Sequence, residues 1–171
     1  GGNFLCFQNN TRNRGMSIDI MQDSVHTWNP DITGSFFFSA NCMHIEDSLV
    51  HIGGRFSTVG DSSVSNLAAV DKTFGVSTGQ SIPIDDKVWD VTVKGDSLLF
   101  VGEFLAVDGT FRRFGAGVHK TTWNLNNWRP RLKDDGLLLE NVNGELQIGG
   151  RFEMTNNYPR KNGYALNLVT K

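Results

Sequence analysis

The stretch Leu49–Gly60, LVHIGGRFSTVG, places two adjacent glycines inside a run that otherwise has the composition of a β-strand. Glycine weakens the interior of a strand unless the backbone bulges there or another backbone approaches closely. Arg55 and Phe56 follow the pair directly. The glycines therefore need a structural reason, and the rest of the chain indicates what that reason is.

The same motif recurs four times along the 171 residues. Its copies GGNF, GGRF, VGEF and GGRF begin at Gly1, Gly53, Val101 and Gly149, with spacings of 52, 48 and 48 residues. Two of the four units also carry W-x-P at the same offset, as Trp28–Pro30 and Trp128–Pro130, so we expect both tryptophans in the core. A fixed period of this length indicates one supersecondary unit repeated along the chain.

Apolar positions within a unit alternate with a period of two, which is typical of β-strands. The faces that show this pattern are Val50–Ile52–Gly54–Phe56, Leu98–Phe100–Gly102–Phe104 and Leu146–Ile148–Gly150–Phe152. We predict four short strands in each unit and no helix. In the third unit the predicted strands are Val88–Val93, Ser97–Val107, Phe114–His119 and Thr122–Trp128.

Four antiparallel strands in a unit of about 40 to 50 residues are typical of a β-propeller blade. We therefore predict an all-β fold, a β-propeller of four-stranded antiparallel blades, with about three and a half blades in this chain. Residues 1–171 are expected to form a single segment of a larger propeller. In that fold the glycines at 54, 102 and 150 would let the neighbouring blade approach closely, and a β-bulge is the alternative reason for them.

The segments IGGRF (52–56), NLAAVD (66–71) and GYALNL (163–168), followed by W-x-P, resemble tandem propeller repeats of the delta-sixty type. Such repeats occur in large bacterial and phage surface proteins, and a related set occurs in fungal cell-surface polarity markers. The double glycines also resemble kelch repeats, but the tryptophan lies further from them than kelch spacing allows. The resemblance implies a large extracellular, cell-surface or virion-surface scaffold, such as a phage tail component, with no shared catalytic residues.

The composition of the chain gives no indication of a nucleic-acid, membrane, metal or cofactor partner. The formal net charge of −2 gives no reason to expect nucleic acid or an anionic membrane, and no run of apolar residues is long enough for a membrane span. Cys6 and Cys42 lack the spacing of a metal or redox motif, and we expect free, buried thiols rather than a bridge. No motif indicates a cofactor or a metal.

Carboxylates gather in the loops that lead from one blade to the next, at Asp31, at Asp85 and Asp86, and at Asp134 and Asp135. Paired acids on one rim are typical of a glycosidase acid and base or of calcium ligands. Aspartate is also an ordinary turn residue, and we favour that interpretation.

Two tryptophans, Trp89 and Trp123, do not recur at one offset. Each is a candidate platform for stacking a sugar, although aromatic side chains more often supply buried area.

Arginine recurs eleven residues after three of the four unit starts, at Arg12, Arg112 and Arg160, where the second unit has Val64. A ring of guanidinium groups on one rim would bind carboxylates or phosphates bidentately. The alternative, which we favour, is that each arginine ties its own loop to the next blade, through backbone carbonyls or the aspartates of the entry loops.

These patterns predict a non-enzymatic structural or attachment module, with protein partners in a larger assembly or in the rest of a longer chain. The alternative is a lectin or a glycoside-active enzyme that uses the loops bearing aspartate.

Overall fold

The computed structural model describes residues 1–7, 9–34, 39–155, 158–159 and 161–167. Within these ranges the regular structure consists of β-strands, and no helix occurs among them. The strands form small antiparallel sheets, and none of these closes into a barrel in the described part of the chain. The all-β prediction is therefore confirmed. In these same ranges, no helix is long and apolar enough to cross a membrane.

The described ranges contain twenty strands, numbered in chain order. The first five are β1 (Cys6–Phe7), β2 (Asn10–Thr11), β3 (Ile18–Asp19), β4 (Ser24–Val25) and β5 (Ile32–Thr33). The next are β6 (Ser39–Glu46), β7 (Leu49–Arg55), β8 (Thr58–Val59), β9 (Ser62–Ser63) and β10 (Leu67–Asp71). Then follow β11 (Val88–Lys94), β12 (Ser97–Gly102), β13 (Ala106–Val107), β14 (Thr110–Phe111) and β15 (Gly115–His119). The last are β16 (Gly136–Val142), β17 (Glu145–Gly150), β18 (Met154–Thr155), β19 (Tyr158–Pro159) and β20 (Gly163–Asn167).

Three sheets share one topology: sheet I (β6, β7, β10), sheet II (β11, β12, β15) and sheet III (β16, β17, β20). In each, the strand that carries the paired motif lies in the middle, antiparallel to both neighbours. A fourth strand is present only as a single bridge, between Val70 and Ser77 beside sheet I and between Val118 and Leu125 beside sheet II. The predicted strand over residues 122–128 is thus reduced to one residue, because Trp123 has a left-handed backbone (φ 58°) that extended strands exclude.

The predicted second strand of the third unit, residues 97–107, ends earlier, at Gly102. The remainder forms a separate hairpin, β13–β14, in which Val107 pairs with Thr110. Asp108 and Gly109 both have positive φ (48° and 66°), as a two-residue type I′ turn requires. Strand β1 pairs antiparallel with β2, β8 with β9, and β18 with β19, at equivalent places in the other repeats.

A pair of backbone hydrogen bonds recurs identically in all four repeats. The second motif glycine donates its N–H to the carbonyl twelve residues later, and that residue donates its own N–H to the carbonyl of the motif phenylalanine. We call this pair of bonds the glycine–phenylalanine bracket. Its glycine, phenylalanine and third member are Gly2, Phe4 and Arg14; Gly54, Phe56 and Asn66; Gly102, Phe104 and Phe114; and Gly150, Phe152 and Asn162. The third member always has a φ between 60° and 66°.

Glycine is required in the brackets of the second, third and fourth repeats because a backbone carbonyl occupies the place of its side chain. A Cβ added at Gly54 would lie 2.1 Å from the Ser39 carbonyl oxygen, and one at Gly102 would lie 2.2 Å from that of Lys87. The same distance separates a Cβ at Gly150 from the Asp135 carbonyl oxygen.

The carbonyl that approaches each of these three glycines comes from the strand before it in the same sheet, or from the residue that leads into that strand. At each place this preceding strand carries a register shift, between Ala40 and Cys42 in sheet I and at the equivalent places in sheets II and III. Our expectation that a neighbouring blade approaches these glycines is corrected. The close approach and the bulge are one feature, because the bulge pushes the carbonyl towards the glycine.

The chain divides into two compact units, residues 1–81 and 82–171. The core of the first contains Trp28, Ile32, Ala40, Val50, Ile52, Phe56, Val59, Val64, Ala68 and Val70. The core of the second contains Leu99, Val101, Leu132, Leu139, Leu146, Ile148 and Phe152. In the second unit β16 packs on β11 and β12, and a Cβ at Gly136 would lie 2.7 Å from that of Val101. An approach between neighbouring sheets therefore occurs at Gly136, away from the bracket.

In the first three repeats, the turn that follows β3, β10 or β15 is held by the residue eighteen positions after the unit start. The Asp71 carboxylate accepts hydrogen bonds from the N–H groups of Thr73 (2.9 Å), Phe74 (2.7 Å) and Val76 (2.6 Å). Asp19 caps the first-repeat turn in the same way, and the Nδ1 atom of His119 does so in the third. The hydrogen bond from Phe74 is the main reason that the pKa of Asp71 is lowered.

In the described residues Cys6 and Cys42 form no disulfide, as expected, but Cys6 is exposed and Cys42 is only half-buried. The expectation that both thiols are buried is wrong, because Cys6 lies in the short hairpin strand β1 outside the core and Cys42 is only partly covered.

We expect Gly150→Ala to lower the free energy of unfolding by about 1 to 3 kcal/mol, because its Cβ would meet a backbone carbonyl that cannot move aside. The adjacent Gly149→Ala is the matched control, since its Cβ would make only ordinary contact, 3.4 Å from the Leu138 Cβ. That change should alter stability by less than about 1 kcal/mol. Urea unfolding measures both, and equal effects would contradict the bracket geometry.

Asp71→Asn should lower the melting temperature at pH 7, because the ionised carboxylate accepts three backbone hydrogen bonds. Its folded pKa lies below the ordinary value of about 3.9, so this stability is present above that pH and is lost as the pH falls through the folded pKa. The difference from wild type should therefore shrink in strongly acidic buffer. The exposed Asp61→Asn is the control, and a difference that persists unchanged at low pH would refute the role of the charge.

Candidate functional site

A cavity of about 230 Å³ in the second unit is lined by five cationic side chains and two apolar ones. We call it the arginine cavity. Its lining residues are Phe111, Arg112, Arg113, Arg129, Arg131, Leu132 and Lys133. Leu132 is 1% exposed, whereas Phe111 is 62% exposed. The cavity thus combines a buried apolar residue with a rim of positive charge.

Two stretches of chain build the cavity. Residues 111–113 end the β13–β14 hairpin and enter the link to β15, and Arg112 N–H donates to the Leu105 carbonyl (2.8 Å). Residues 129–133 belong to the segment that follows Trp128, which is positioned by Pro130. A Cβ at Gly115 would lie 2.4 Å from Pro130 Cγ, so the glycine leaves the space that the proline ring fills.

Charge in the arginine cavity is not compensated by neighbouring acids. Among the residues that the structure describes, none of its five cations forms an ion pair with a carboxylate. The pKa of Arg112 is lowered, chiefly by burial and then by the positive charge of Arg129. The Arg113 guanidinium lies 4.9 Å from the centroid of the Phe111 ring, where it makes a cation–π contact.

The recurring arginines bind backbone carbonyls. Arg112 donates from one terminal nitrogen to the carbonyl of Asn126, at 2.9 Å, and is 9% exposed. Arg12 donates to the carbonyl of His26, which lies the same fourteen residues further on, at 3.0 Å. Bonds to backbone carbonyls are what we expected if these arginines hold loops in place rather than bind a ligand. Arg12 and Arg112 belong to different compact units, and Arg160 lies outside the described residues.

The aspartates at 85 and 86 accept hydrogen bonds from nearby backbone. One oxygen of Asp85 accepts from the N–H groups of Leu105 (2.9 Å) and Ala106 (3.1 Å). Asp86 accepts from the N–H of Lys87 at 2.7 Å. These contacts order the approach to β11 and the start of the β13–β14 hairpin.

Asp134 and Asp135 also have different contacts from each other. Asp134 accepts from the N–H of Asp135 at 2.8 Å, and the carboxylate of Asp135 lies 3.4 Å from an Arg151 nitrogen. Burial raises the pKa of Asp135, with smaller contributions from the charges of Glu103 and Asp134. Asp31, in the first unit, accepts from the Asn13 side chain. In the described ranges no group of three or more His, Cys, Asp or Glu residues gathers to hold a metal ion.

The tryptophans offer little open ring surface. Trp123 is 5% exposed, which leaves no face for stacking a sugar. Trp89 is half-buried, and its ring is covered by the Lys87 ammonium at 4.6 Å while its Nε1 donates to Glu103. Trp28 is buried and donates from Nε1 to the Asp71 carbonyl, and Trp128 packs against the core of the second unit.

Four of the five cations in the arginine cavity were not predicted from sequence, because arginines were compared between repeats at one offset alone. The signal was present in the segments after the recurring tryptophan. Residues 128–133 read WRPRLK, whereas the equivalent residues 28–33 read WNPDIT.

Comparisons with protein-family models, with curated proteins and with solved structures find no match to this chain.

We expect Arg112→Ala to lower the free energy of unfolding by about 1 to 3 kcal/mol, because it removes a charge-assisted hydrogen bond from a buried side chain. Arg113→Ala is the control, since that side chain is exposed and lies on the same hairpin. Thermal unfolding followed by circular dichroism measures both. An unchanged melting temperature for Arg112→Ala would contradict the structural role of the bond to Asn126.

Proposed function

We propose that the chain is a non-enzymatic structural or attachment module, built as consecutive four-stranded propeller blades within a larger extracellular, cell-surface or virion-surface assembly. The bracket carries this proposal. In all four repeats the invariant glycine and phenylalanine take part in the same backbone hydrogen bonds. Repetition of one structural unit in this way is typical of a scaffold built from repeats.

The sheets support the propeller architecture in detail. Sheets I and II each have three strands, and each has a bridge where a fourth strand of a blade would pair. In the second unit sheet III packs on sheet II, and the Leu139 N–H donates across to an Asp90 carboxylate oxygen at 2.8 Å. Antiparallel sheets that pack in series are the arrangement expected of neighbouring blades.

The uses of the loop aspartates favour a scaffold over a glycosidase. A glycosidase holds two carboxyl groups about 5 to 9.5 Å apart, facing one sugar-binding site. Here Asp85, Asp86 and Asp134 each accept hydrogen bonds from the backbone of their own loops or of the adjacent hairpin. An acid already committed to holding a turn is poorly placed to exchange a proton with a substrate.

The surface location is tested by labelling intact source cells or particles with antibodies raised against residues 1–171. We expect gold label on the outside of intact, unpermeabilised material. Label that appears only after permeabilisation would contradict an extracellular module. An unrelated internal protein, labelled in parallel, reports whether the material is intact.

The carbohydrate alternative is tested with a panel of chromogenic glycosides and a glycan array. We expect no hydrolysis above that of buffer. Turnover that is abolished by Asp134→Asn or Asp135→Asn would establish an enzyme instead. Glycan binding that is lost in Asp85→Asn, while that variant remains folded, would establish a lectin that uses the aspartate loops.

A further inference from the structure

We propose that the arginine cavity binds a compact, multiply charged oxyanion, namely a phosphate or sulfate group. The group is either free in solution or carried as an ester on a small sugar. This site is independent of the scaffold role, because four of its five cations are side chains that the repeated backbone does not require.

The repeats themselves show that the fold does not need this charge. Each cation of the arginine cavity stands at a fixed number of residues after the unit start, which allows it to be compared with the same position in the other repeats. The five cations are Arg112, Arg113, Arg129, Arg131 and Lys133. The same offsets in the first repeat hold one cation and one carboxylate, as Arg12, Asn13, Asn29, Asp31 and Thr33. In the second repeat they hold a single carboxylate and no cation, as Val64, Ser65, Ser81, Pro83 and Asp85. Among the three repeats in which all five offsets can be compared, only the third gathers five positive charges.

The clearest contrast is at one pair of offsets. In the first repeat Asn13 donates a side-chain hydrogen bond to Asp31, so the two side chains satisfy each other. In the third repeat both positions are arginine, Arg113 and Arg131, and both are exposed. Two like charges that line one cavity thus replace a hydrogen-bonded pair, and an anion bound beside them would relieve their repulsion.

Nothing else in the described residues neutralises the cluster. Its cations have no carboxylate partners there, although the whole chain has a net charge of −2. The partly desolvated Arg112 adds a fixed charge at one side, held in position by its bond to Asn126. The positive charge is therefore local and concentrated in a cavity.

The shape and chemistry of the cavity favour a compact oxyanion. Guanidinium groups present forks that match phosphate, sulfate and carboxylate oxygens bidentately, and several of them together favour an anion of more than one charge. A volume of about 230 Å³ is below the range of about 300 to 1,000 Å³ typical of pockets for drug-sized ligands. A concave site also fits one anionic group better than it fits the extended backbone of a nucleic acid.

The test uses isothermal titration with inorganic phosphate and with sulfate at constant ionic strength, with chloride as the background anion. The double variant Arg113→Asn, Arg131→Asp gives the third repeat the two residues that the first repeat has at these offsets. In the first repeat those residues, Asn13 and Asp31, form a hydrogen bond with each other. We expect this variant to bind phosphate at least tenfold more weakly than wild type. Arg129→Asn, a second variant with an exposed position, should also weaken binding.

A control of equal charge change is Lys72→Asp with Lys161→Asn, which alters exposed lysines outside the cavity. This control should bind phosphate as wild type does. Equal affinity in wild type, in the Arg113→Asn, Arg131→Asp variant and in the control would overturn the proposal, as would the absence of measurable binding to wild type. Melting curves of all four proteins establish that a loss of binding is not a loss of folding.

Two further titrations identify the source of the anion. Tighter binding of glucose 6-phosphate or N-acetylglucosamine 6-sulfate than of the inorganic ions would assign the site to a sugar ester. Equal or weaker binding of the esters would assign it to the free anion. Binding of a single-stranded oligonucleotide without binding of any small anion would overturn the proposal in favour of a nucleic-acid surface.

Discussion

In sheets I, II and III, the middle strand lies beside a bulge in the preceding strand. At that bulge a backbone carbonyl oxygen occupies the space that a side chain of the middle strand would need. Only a residue without a Cβ fits at Gly54, Gly102 and Gly150, because the nearest atom is backbone and cannot rotate away. The motif phenylalanine two residues later is buried in every sheet. The bracket then fixes where the chain returns as the third strand, so the register of each sheet follows from this one contact.

A scaffold that depends on a few positions leaves the others free to differ between repeats. The offset that caps the turn after the third strand accepts either aspartate or histidine, since Asp71 and His119 both provide an acceptor for backbone N–H groups. Most of the offsets that line the arginine cavity in the third repeat carry neutral or acidic residues in the first and second repeats, where Arg12 is the one cation. Specific binding chemistry is therefore expected at the variable offsets, and stability at the invariant ones.

Much of the fold was predictable from sequence, because the repeat exposes the positions that the backbone constrains. The recurrence of Gly54, Gly102 and Gly150 indicated strands with close backbone contact. What sequence did not reveal was which backbone approaches, since a bulge in the preceding strand leaves no distinct residue pattern. The early end of β12 was missed because alternating apolar residues continue past Gly102, although Asp108-Gly109 is a hairpin signal.

The candidate site was less predictable, for a physical reason. The offset of Arg112 recurs because its bond to the Asn126 carbonyl is structural, and recurrence therefore directed attention to the scaffold. Arg113, Arg129 and Arg131 do not recur, and only the fold shows that they line one cavity. The sequence does show that WRPRLK is more basic than WNPDIT. That difference indicates a binding site only when both segments are known to occupy equivalent places in the fold.

The central claim is that one backbone bracket organises every repeat, and amide hydrogen exchange followed by NMR tests it most directly. The six donors of the second, third and fourth repeats are the N–H groups of Gly54, Asn66, Gly102, Phe114, Gly150 and Asn162. The account predicts that all six exchange about 100-fold or more slowly than unstructured amides, because each is closed in a hydrogen bond beside a buried strand. Exchange of these amides at the rate of an unstructured peptide, in any of the three repeats, would contradict it.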